Sequence, residues 1–295
     1  MQFRPKSGLA VLGVVATLAL AGCGSSATDT PSPSATASGT TASLGALVPA
    51  DIAADGTLTF GTDGTYPPNE YVGADGKTME GMDIELGNAI ADKLGLKAAF
   101  VNSPFDAIIP AVQSGKYEAG LSSFTITAER MKVVDFVSYY TAGTAWAAPV
   151  GSTITPDTAC GKKIAVQKGT VQVDDINARS KACTDAGKAA ITINQYQSQQ
   201  EAAGTVISGK NDAILADSDP IHYAVLQSNA KLAVVGSQYD NFPYGVALPK
   251  ANGDFAKAIQ QAIQAIIDDG SYATILAKYS ADGGAVATSE INPAV

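Results

Sequence analysis

Arg130 is one of three arginines in 295 residues, with Arg4 and Arg179. It stands in Thr125-Ile126-Thr127-Ala128-Glu129-Arg130, where Thr127 is spaced to cap a helix and Arg130 falls in its first turn. A planar guanidinium beside helix-end N–H groups can grip an anion with two parallel hydrogen bonds. Ser122-Ser123-Phe124-Thr125 follows the apolar run Tyr117–Leu121, which places hydroxyls at the carboxyl end of a strand, where open α/β sheets take ligands. Lys168-Gly169-Thr170 follows a second strand, ending Val166-Gln167, and opens a helix, again offering backbone donors to an anion. Asp217 closes the buried-type run Ala213-Ile214-Leu215-Ala216, and Asp63 and Tyr66 follow the run that ends at Phe60. Gln167 and Gln172 are further polar candidates near the second strand. A fixed cation, neutral hydroxyls and carboxylates at strand ends are parts for holding a charged solute.

The parts for bond-breaking are scarce. The one histidine, His222, lies on a helix-like stretch with Tyr223, Val225 and Leu226 nearby, and reads as a packed or surface side chain. One histidine and three cysteines assemble no side-chain zinc cluster, and no GxSxG element is present, so no metal, cofactor or catalytic residue is expected. Gly169 lacks the GxxxxGK[ST] or GxGxxG context of a nucleotide loop. With 19 basic against 28 acidic side chains the net charge is -9, which opposes a nucleic-acid role.

The elements that position these residues alternate short β-type runs with helical ones, the pattern of an α/β domain with mainly parallel strands. Regular structure begins at Thr57-Leu58-Thr59-Phe60. Met82, Leu86, Ala89, Ile90 and Leu94 recur at helical spacing, and Lys97 to Val101 reads as the next strand. Ser103-Pro104-Phe105-Asp106 predicts a helix with Ser103 as N-cap and Pro104 at the first helical position, stopped by Gly115. Further strands are predicted over 145–150, 163–167, 191–196, 213–216 and 232–235, with a capping box at Ser198 and Glu201. Phe255, Ile259, Ala262, Ile263, Ile266 and Ile267 trace one amphipathic helix, and Tyr272, Ile275, Leu276 and Tyr279 another. Residues from Ala281 on read as a frayed tail.

The N-terminus carries an address. Arg4 and Lys6 precede an uncharged stretch from Gly8 to Gly22, about the length of a signal-peptide core and short of the roughly 20 residues of a spanning helix. It ends Leu20-Ala21-Gly22-Cys23, which resembles the lipobox of bacterial lipoproteins and implies lipidation at Cys23; the alternative is an ordinary signal peptide cut nearby. Removing residues 1–22 leaves 17 basic and 28 acidic groups, a net charge of -11. With Cys23 lipidated, Cys160 and Cys183 remain as an even pair in an oxidising compartment, and a disulfide is expected, against the alternative of two buried thiols. From Gly24 to about Ala50 the chain is mainly Ser, Thr, Ala, Pro and Gly, poor in large apolar residues and with the single charge of Asp29, the composition of a tether.

Several blocks together carry a family resemblance. Gly61-Thr62-Asp63-Gly64-Thr65-Tyr66-Pro67-Pro68, Gly81-Met82-Asp83-Ile84-Glu85-Leu86, the run 109–117, and Thr125-Ile126-Thr127-Ala128-Glu129-Arg130 with Val134-Asp135-Phe136 resemble the polar amino-acid solute-binding proteins of ABC importers. The similarity runs from about Leu58 to Tyr279, with the blocks in order. It implies a two-lobed periplasmic-binding-protein-like α/β fold with two hinge crossovers: lobe 1 over 56–147 plus 244–280, lobe 2 over 148–243. The signal peptide (1–22), the lipidated tether (23–55) and the tail (281–295) lie outside the lobes.

The resemblance also assigns roles. Arg130 receives the carboxylate of a free amino acid, Thr170 meets it from the opposite lobe, and Asp217 receives the α-ammonium. Ser122, Ser123 and Thr125 match positions that contact the ligand backbone, Asp63 and Tyr66 address its side chain, and Tyr66 and Phe105 form walls. Asn69 stands where the family usually has an aromatic residue, and Val171 replaces a common small or hydroxyl residue. Two carboxylates, Asp63 and Asp217, against Arg130 favour a neutral polar or cationic ligand side chain. The expected partners are the free amino acid, an ABC permease and, through the lipid, the outer face of the cell membrane; the expected state is a monomer that shuts around its ligand. The rival readings are a tethered amino-acid sensor and a dehydratase or murein-cleaving enzyme on the same fold.

Overall fold

Two long neighbouring strands run through the middle of the molecule and join its two halves. The computed structural model describes residues 44–250 and 252–295. The expected signal peptide, Cys23 and most of the tether lie outside the described residues.

The strands are β1 (Thr57–Thr62), β2 (Thr65–Tyr66), β3 (Glu70–Val72), β4 (Met79–Glu80), β5 (Lys97–Asn102), β6 (Ala119–Gly120), β7 (Val134–Pro149), β8 (Lys163–Gln167), β9 (Thr192–Tyr196), β10 (Ala213–Asp217), β11 (Leu232–Val234) and β12 (Tyr239–Pro249). The main sheet has the order β5-β1-β6-β12-β7-β10-β8-β9, with β11 also on β7. Its flanks are parallel, β1 with β5 and β6, and β8 with β9 and β10. The centre is antiparallel, β12 against β7. Their register shifts on both sides of the Tyr244↔Tyr140 and Phe242↔Ala142 pairs, so the ribbon bends there. A small antiparallel sheet, β2-β3-β4, lies beside the first half.

The helices are α1 (Ala50–Asp55), α2 (Met82–Leu94), α3 (Phe105–Gln113), α4 (Ala128–Met131), α5 (Val171–Asp185), α6 (Gln199–Ile207), α7 (Ser218–Gln227), α8 (Gly253–Asp268) and α9 (Ser271–Lys278). Helices α2, α8 and α9 bury Leu86, Ile90, Phe255, Ile259, Ile263 and Leu276 against Phe60, Val137 and Val246. Each such side chain contributes roughly 1.5–3 kcal/mol when taken out of water. Phe105, Ile108, Val112 and Phe124 cover the opposite face of this half. In the second half, α6 and α7 pack on Ala145, Ala147, Ile214 and Ala216. Trp146, Ile164, Val166, Ile176 and Leu215 fill its other face. Cys160 and Cys183 are joined in that core, with an S–S distance of 1.98 Å.

The periodic helices and most strands stand where the spacing places them, with four differences. Ser103 does not cap α3: its N–H donates to Thr62 O (2.9 Å), prolonging the β1–β5 ladder, and Pro104, with ψ 136°, is the flanking residue. The strand expected over 117–121 is reduced to Ala119–Gly120. The strand expected over 145–150 starts at Val134, because one continuous strand serves both halves. Ala145 to Ala148 pack with second-half cores, although the family pattern groups them with the first lobe.

Both presumed tails are also ordered in part. Leu44, Val48 and Ile52, expected in the tether, are buried in the core beside α8. The C-terminal residues are not frayed. Ser138 N–H donates to Glu290 O (2.8 Å), Asn292 N–H donates to Phe136 O (2.8 Å), and Phe136 N–H donates to Asn292 Oδ1 (2.8 Å). Ser289 is buried and its hydroxyl donates to Ser138 O (2.7 Å). The chain end thus pairs with the edge of β7 that β10 does not reach.

Deleting residues 286–295 should therefore lower stability by about 2–5 kcal/mol, the loss of several ladder bonds at about 1 kcal/mol each plus buried Ser289. Urea unfolding of the truncated and intact proteins checks this, and a dispensable tail would leave the midpoint unchanged.

Candidate functional site

The carboxyl ends of β1, β6, β8 and β10 face one another across a cleft between the two halves. From the first half come Tyr66, Phe105, Ser123, Thr125 and Arg130; from the second come Thr170, Val171, Gln172 and Asp217. Together they line one small, tightly shut pocket between the halves.

Arg130 is set by its local sequence. Thr127 caps α4, its Oγ1 accepting from Arg130 N–H at 3.1 Å. The guanidinium donates from Nη1 to Thr125 O (2.7 Å) and from Nη2 across the cleft to Gly169 O (3.0 Å). It stacks 5.5 Å from the Phe105 ring centroid and 5.6 Å from that of Phe124. Desolvation lowers its pKa to about 10, so it remains charged at neutral pH. No described carboxylate forms an ion pair with it, in contrast to Arg179, which is paired with Asp175 at 2.9 Å. A desolvated cation bonded only to carbonyl oxygens is half of an anion site.

Asp217 sits on the opposite wall. It occupies the N-cap position of α7, yet its side chain makes no capping bond. Its carboxylate accepts instead from Tyr66 Oη (2.7 Å, across the cleft) and Gln172 Nε2 (2.8 Å). Burial raises its pKa; the Tyr66 and Gln172 hydrogen bonds and the Arg130 charge hold it down. Thr170 donates its hydroxyl to Gln167 O (2.8 Å), which leaves its side chain out of the α5 cap.

Eight of the eleven sequence-derived residues, Tyr66, Phe105, Ser123, Thr125, Arg130, Thr170, Gln172 and Asp217, line this cavity. Asp63, Ser122 and Gln167 do not line it and form an adjoining chain. Gln167 Nε2 donates to Asp63 Oδ2 (2.6 Å), and Asp63 N–H donates to Ser122 Oγ (3.0 Å). Burial raises the Asp63 pKa against hydrogen bonds from Thr65 and Gln167. At the rim, Asp106 accepts from Lys168 Nζ (2.7 Å) and Gln197 Nε2 (2.6 Å), and Lys168 holds its carboxyl below the usual range. Gly169, at φ 82°, lies so close that a Cβ would come within 2.8 Å of Asp106 Cβ. His222 is exposed and away from this cavity.

Sequence reasoning missed the layer beneath Ser123. Asn69, the departure from the family aromatic, is buried, and its Nδ2 donates to Ser123 Oγ (2.9 Å). Glu70 and Asp83, both fully buried, accept from Ser122 and Ser123. One signal was present: Asp83, Leu86, Gly87 and Ile90 share one helical face, which puts an acid on an apolar stripe.

Paired crossovers, a cleft at strand ends, and a cation facing a carboxylate across it define a two-lobed solute-binding protein. Residues 58–282 match the family of bacterial extracellular solute-binding proteins, family 3, and the chain belongs to that family. It is similar to the arginine-binding protein ArgT of Corynebacterium glutamicum, 36% identical over 84% of this chain and 82% of that protein. Among solved structures, an ancestral arginine-binding protein bound to arginine aligns with TM-score 0.70 and 36% identity, over 76% of this chain and 98% of that one. An ancestral amino acid-binding protein that is a precursor of cyclohexadienyl dehydratase aligns with TM-score 0.68 and 31% identity, over 78% and 97%. The family is extracytoplasmic. Among the described residues no helix is long and apolar enough to cross a membrane.

Replacing Tyr66 by Phe removes a donor from a buried carboxylate and should cost about 1–3 kcal/mol. The lost hydrogen bond favours ionised Asp217, so the Tyr66→Phe cost should be larger at pH 8 than at pH 4, where the acid is protonated more fully. Chemical denaturation at both pH values reads the difference; an equal cost at both would show that the bond does not depend on the Asp217 charge.

Proposed function

We propose that the chain is a lipid-anchored receptor that captures a polar amino acid outside the cytoplasm and delivers it to an ABC permease. The observation that carries this reading is the charge pair across the cavity: the Arg130 guanidinium, bonded only to carbonyl oxygens, opposite the Asp217 carboxylate. An α-amino acid is the complement of that pair, with its carboxylate on Arg130 and its ammonium on Asp217. Thr125 and Thr170 supply the neutral contacts, and Ser123 lines the same wall. The ligand side chain extends toward Asp63, which makes a cationic amino acid the favoured cargo, and the arginine-binding relatives support the same class.

In this reading residues 1–22 direct export, Cys23 carries the lipid, and the following tether leads to two lobes of roughly 56–147 plus 244–280, and 148–243. Ligand touches both lobes and so binds the shut form best, which shifts the population toward closure. The shut lobes form the docking face for the permease. The protein works as a monomer, with no cofactor, nucleic-acid partner or turnover of its own.

A thermal-shift screen of the refolded, ligand-stripped protein against the twenty amino acids and ornithine tests this. At a hundredfold excess over Kd a ligand adds about 2.7 kcal/mol. For a domain of this size that raises Tm by about 5–10 °C. We expect arginine, lysine or ornithine to do so, with the shift lost in Arg130→Ala, and the ligand recovered chemically unchanged. A folded protein that responds to none of them would end the amino-acid assignment, and conversion of the ligand would move the chain to the dehydratase branch of the fold.

A further inference from the structure

Beneath the cavity floor lie two acids for which binding itself has no direct use. Glu70, on β3, and Asp83, in the first turn of α2, are both fully buried. Glu70 Oε1 accepts from Ser122 Oγ (2.8 Å), and Glu70 Oε2 lies 3.1 Å from Ser123 Oγ. Asp83 Oδ2 accepts from Ser123 N–H (2.7 Å) and Tyr139 Oη (2.8 Å), and lies 3.3 Å from the same Ser123 hydroxyl. That hydroxyl has one proton, while two carboxyl groups and the Asn69 amide converge on it. Asp83 Oδ1 meets no donor N–H or O–H among the described residues.

Among the described residues no cation pairs with either acid. Around the two stand Asp63, joined through Ser122, and the phenols of Tyr66, Tyr139 and Tyr140. Glu85, two residues on and on another face of α2, is taken by Lys278 and Tyr279. None of the ion pairs among the described residues includes Glu70 or Asp83. Two neighbouring buried carboxyl groups without a cation do not both ionise at neutral pH.

What the pair holds is Ser123. This residue has φ 50°, a left-handed conformation costly outside glycine, and it lines the ligand cavity beside Thr125. Its N–H and hydroxyl are both committed to the acids below.

We propose that Glu70 and Asp83 hold one proton between them and act as positioning residues, fixing Ser123 in the backbone conformation that presents Ser123 and Thr125 to the ligand. The proposal rests on the receptor reading of the cavity. Asp83, which accepts a backbone N–H and a phenol, is the better-solvated anion, and Glu70 carries the proton. Burial and the Asp83 charge push the Glu70 pKa well up, and burial raises Asp83 to about 6. Folding therefore retains protons that the unfolded chain releases, so the pair contributes less stability as pH rises from about 4 through 6 and beyond. Loss of the shared proton at alkaline pH leaves two repelling charges under Ser123 and weakens binding.

The test uses the full mature chain and L-arginine as probe. Infrared difference spectra should show a protonated carboxyl band at pH 7 in the wild type and not in Glu70→Gln, which keeps the neutral hydrogen-bonding shape. Calorimetric titration should find Glu70→Gln within about threefold of wild-type affinity and without the alkaline decline. Asp83→Asn, which replaces the anion that Ser123 N–H and Tyr139 Oη donate to with a weaker neutral acceptor, should bind at least tenfold more weakly while its circular dichroism stays native. The stability of Glu70→Gln relative to wild type should also rise with pH. Absence of the band in the wild type, or a folded Asp83→Asn that binds as well as wild type, overturns the proposal. If the wild type binds no amino acid, the receptor reading and the positioning role fall together, while the infrared band still decides whether the proton is shared.

Discussion

A guanidinium that is desolvated but bonded only to carbonyl oxygens is the constraint around which this molecule is arranged. Arg130 cannot shed its proton at neutral pH, and its aromatic neighbours Phe105 and Phe124 stabilise the flat face without neutralising the charge. One of its two carbonyl partners, Gly169 O, belongs to the opposite half. The charge therefore links the state of the cleft to the separation of the halves. Asp217, buried on the far wall, answers it from the other side of the same pocket. Asp63 and Gln167 add a second buried carboxylate beside the pocket, held by a 2.6 Å hydrogen bond from the amide.

Bringing such groups together from distant parts of the chain requires strands that cross between the halves, and β7 and β12 supply them. Their pairing is long enough to keep the two halves in register and irregular enough, around Tyr140 and Tyr244, to bend. The parallel flanks then direct four strand ends at the same cavity, which is why residues as far apart in sequence as Tyr66 and Asp217 form a 2.7 Å hydrogen bond.

Much of this was legible beforehand. Helical spacing located α2, α8 and α9, and Thr127 and Ser198 cap helices as their positions suggest. Local pattern was blind where a long-range contact overrode it. Ser103 looks like a cap, but the strand ladder runs on to it through Thr62 and the helix starts one residue later, with Pro104 in the cap position. The serine, alanine and proline composition upstream of Thr57 masks Leu44, Val48 and Ile52, three apolar residues that suffice to dock a segment. Residues after Ala281 have little periodicity, and they are ordered by the free edge of β7, which no local rule reveals. Eight of the cavity residues could be named through a family pattern, but Glu70 and Asp83 could not be assigned, because a buried acid and a solvated one look alike until the packing is known.

The docking of both chain ends has a mechanical meaning. Leu44 and Val48 at one end and Ser289 and Asn292 at the other are all fastened to the half that carries Arg130. A pull applied through either segment is borne by that half, at the part of β7 that lies before the bend at Tyr140 and Tyr244. Tension between these two segments is therefore carried to one side of the bend in the ribbon.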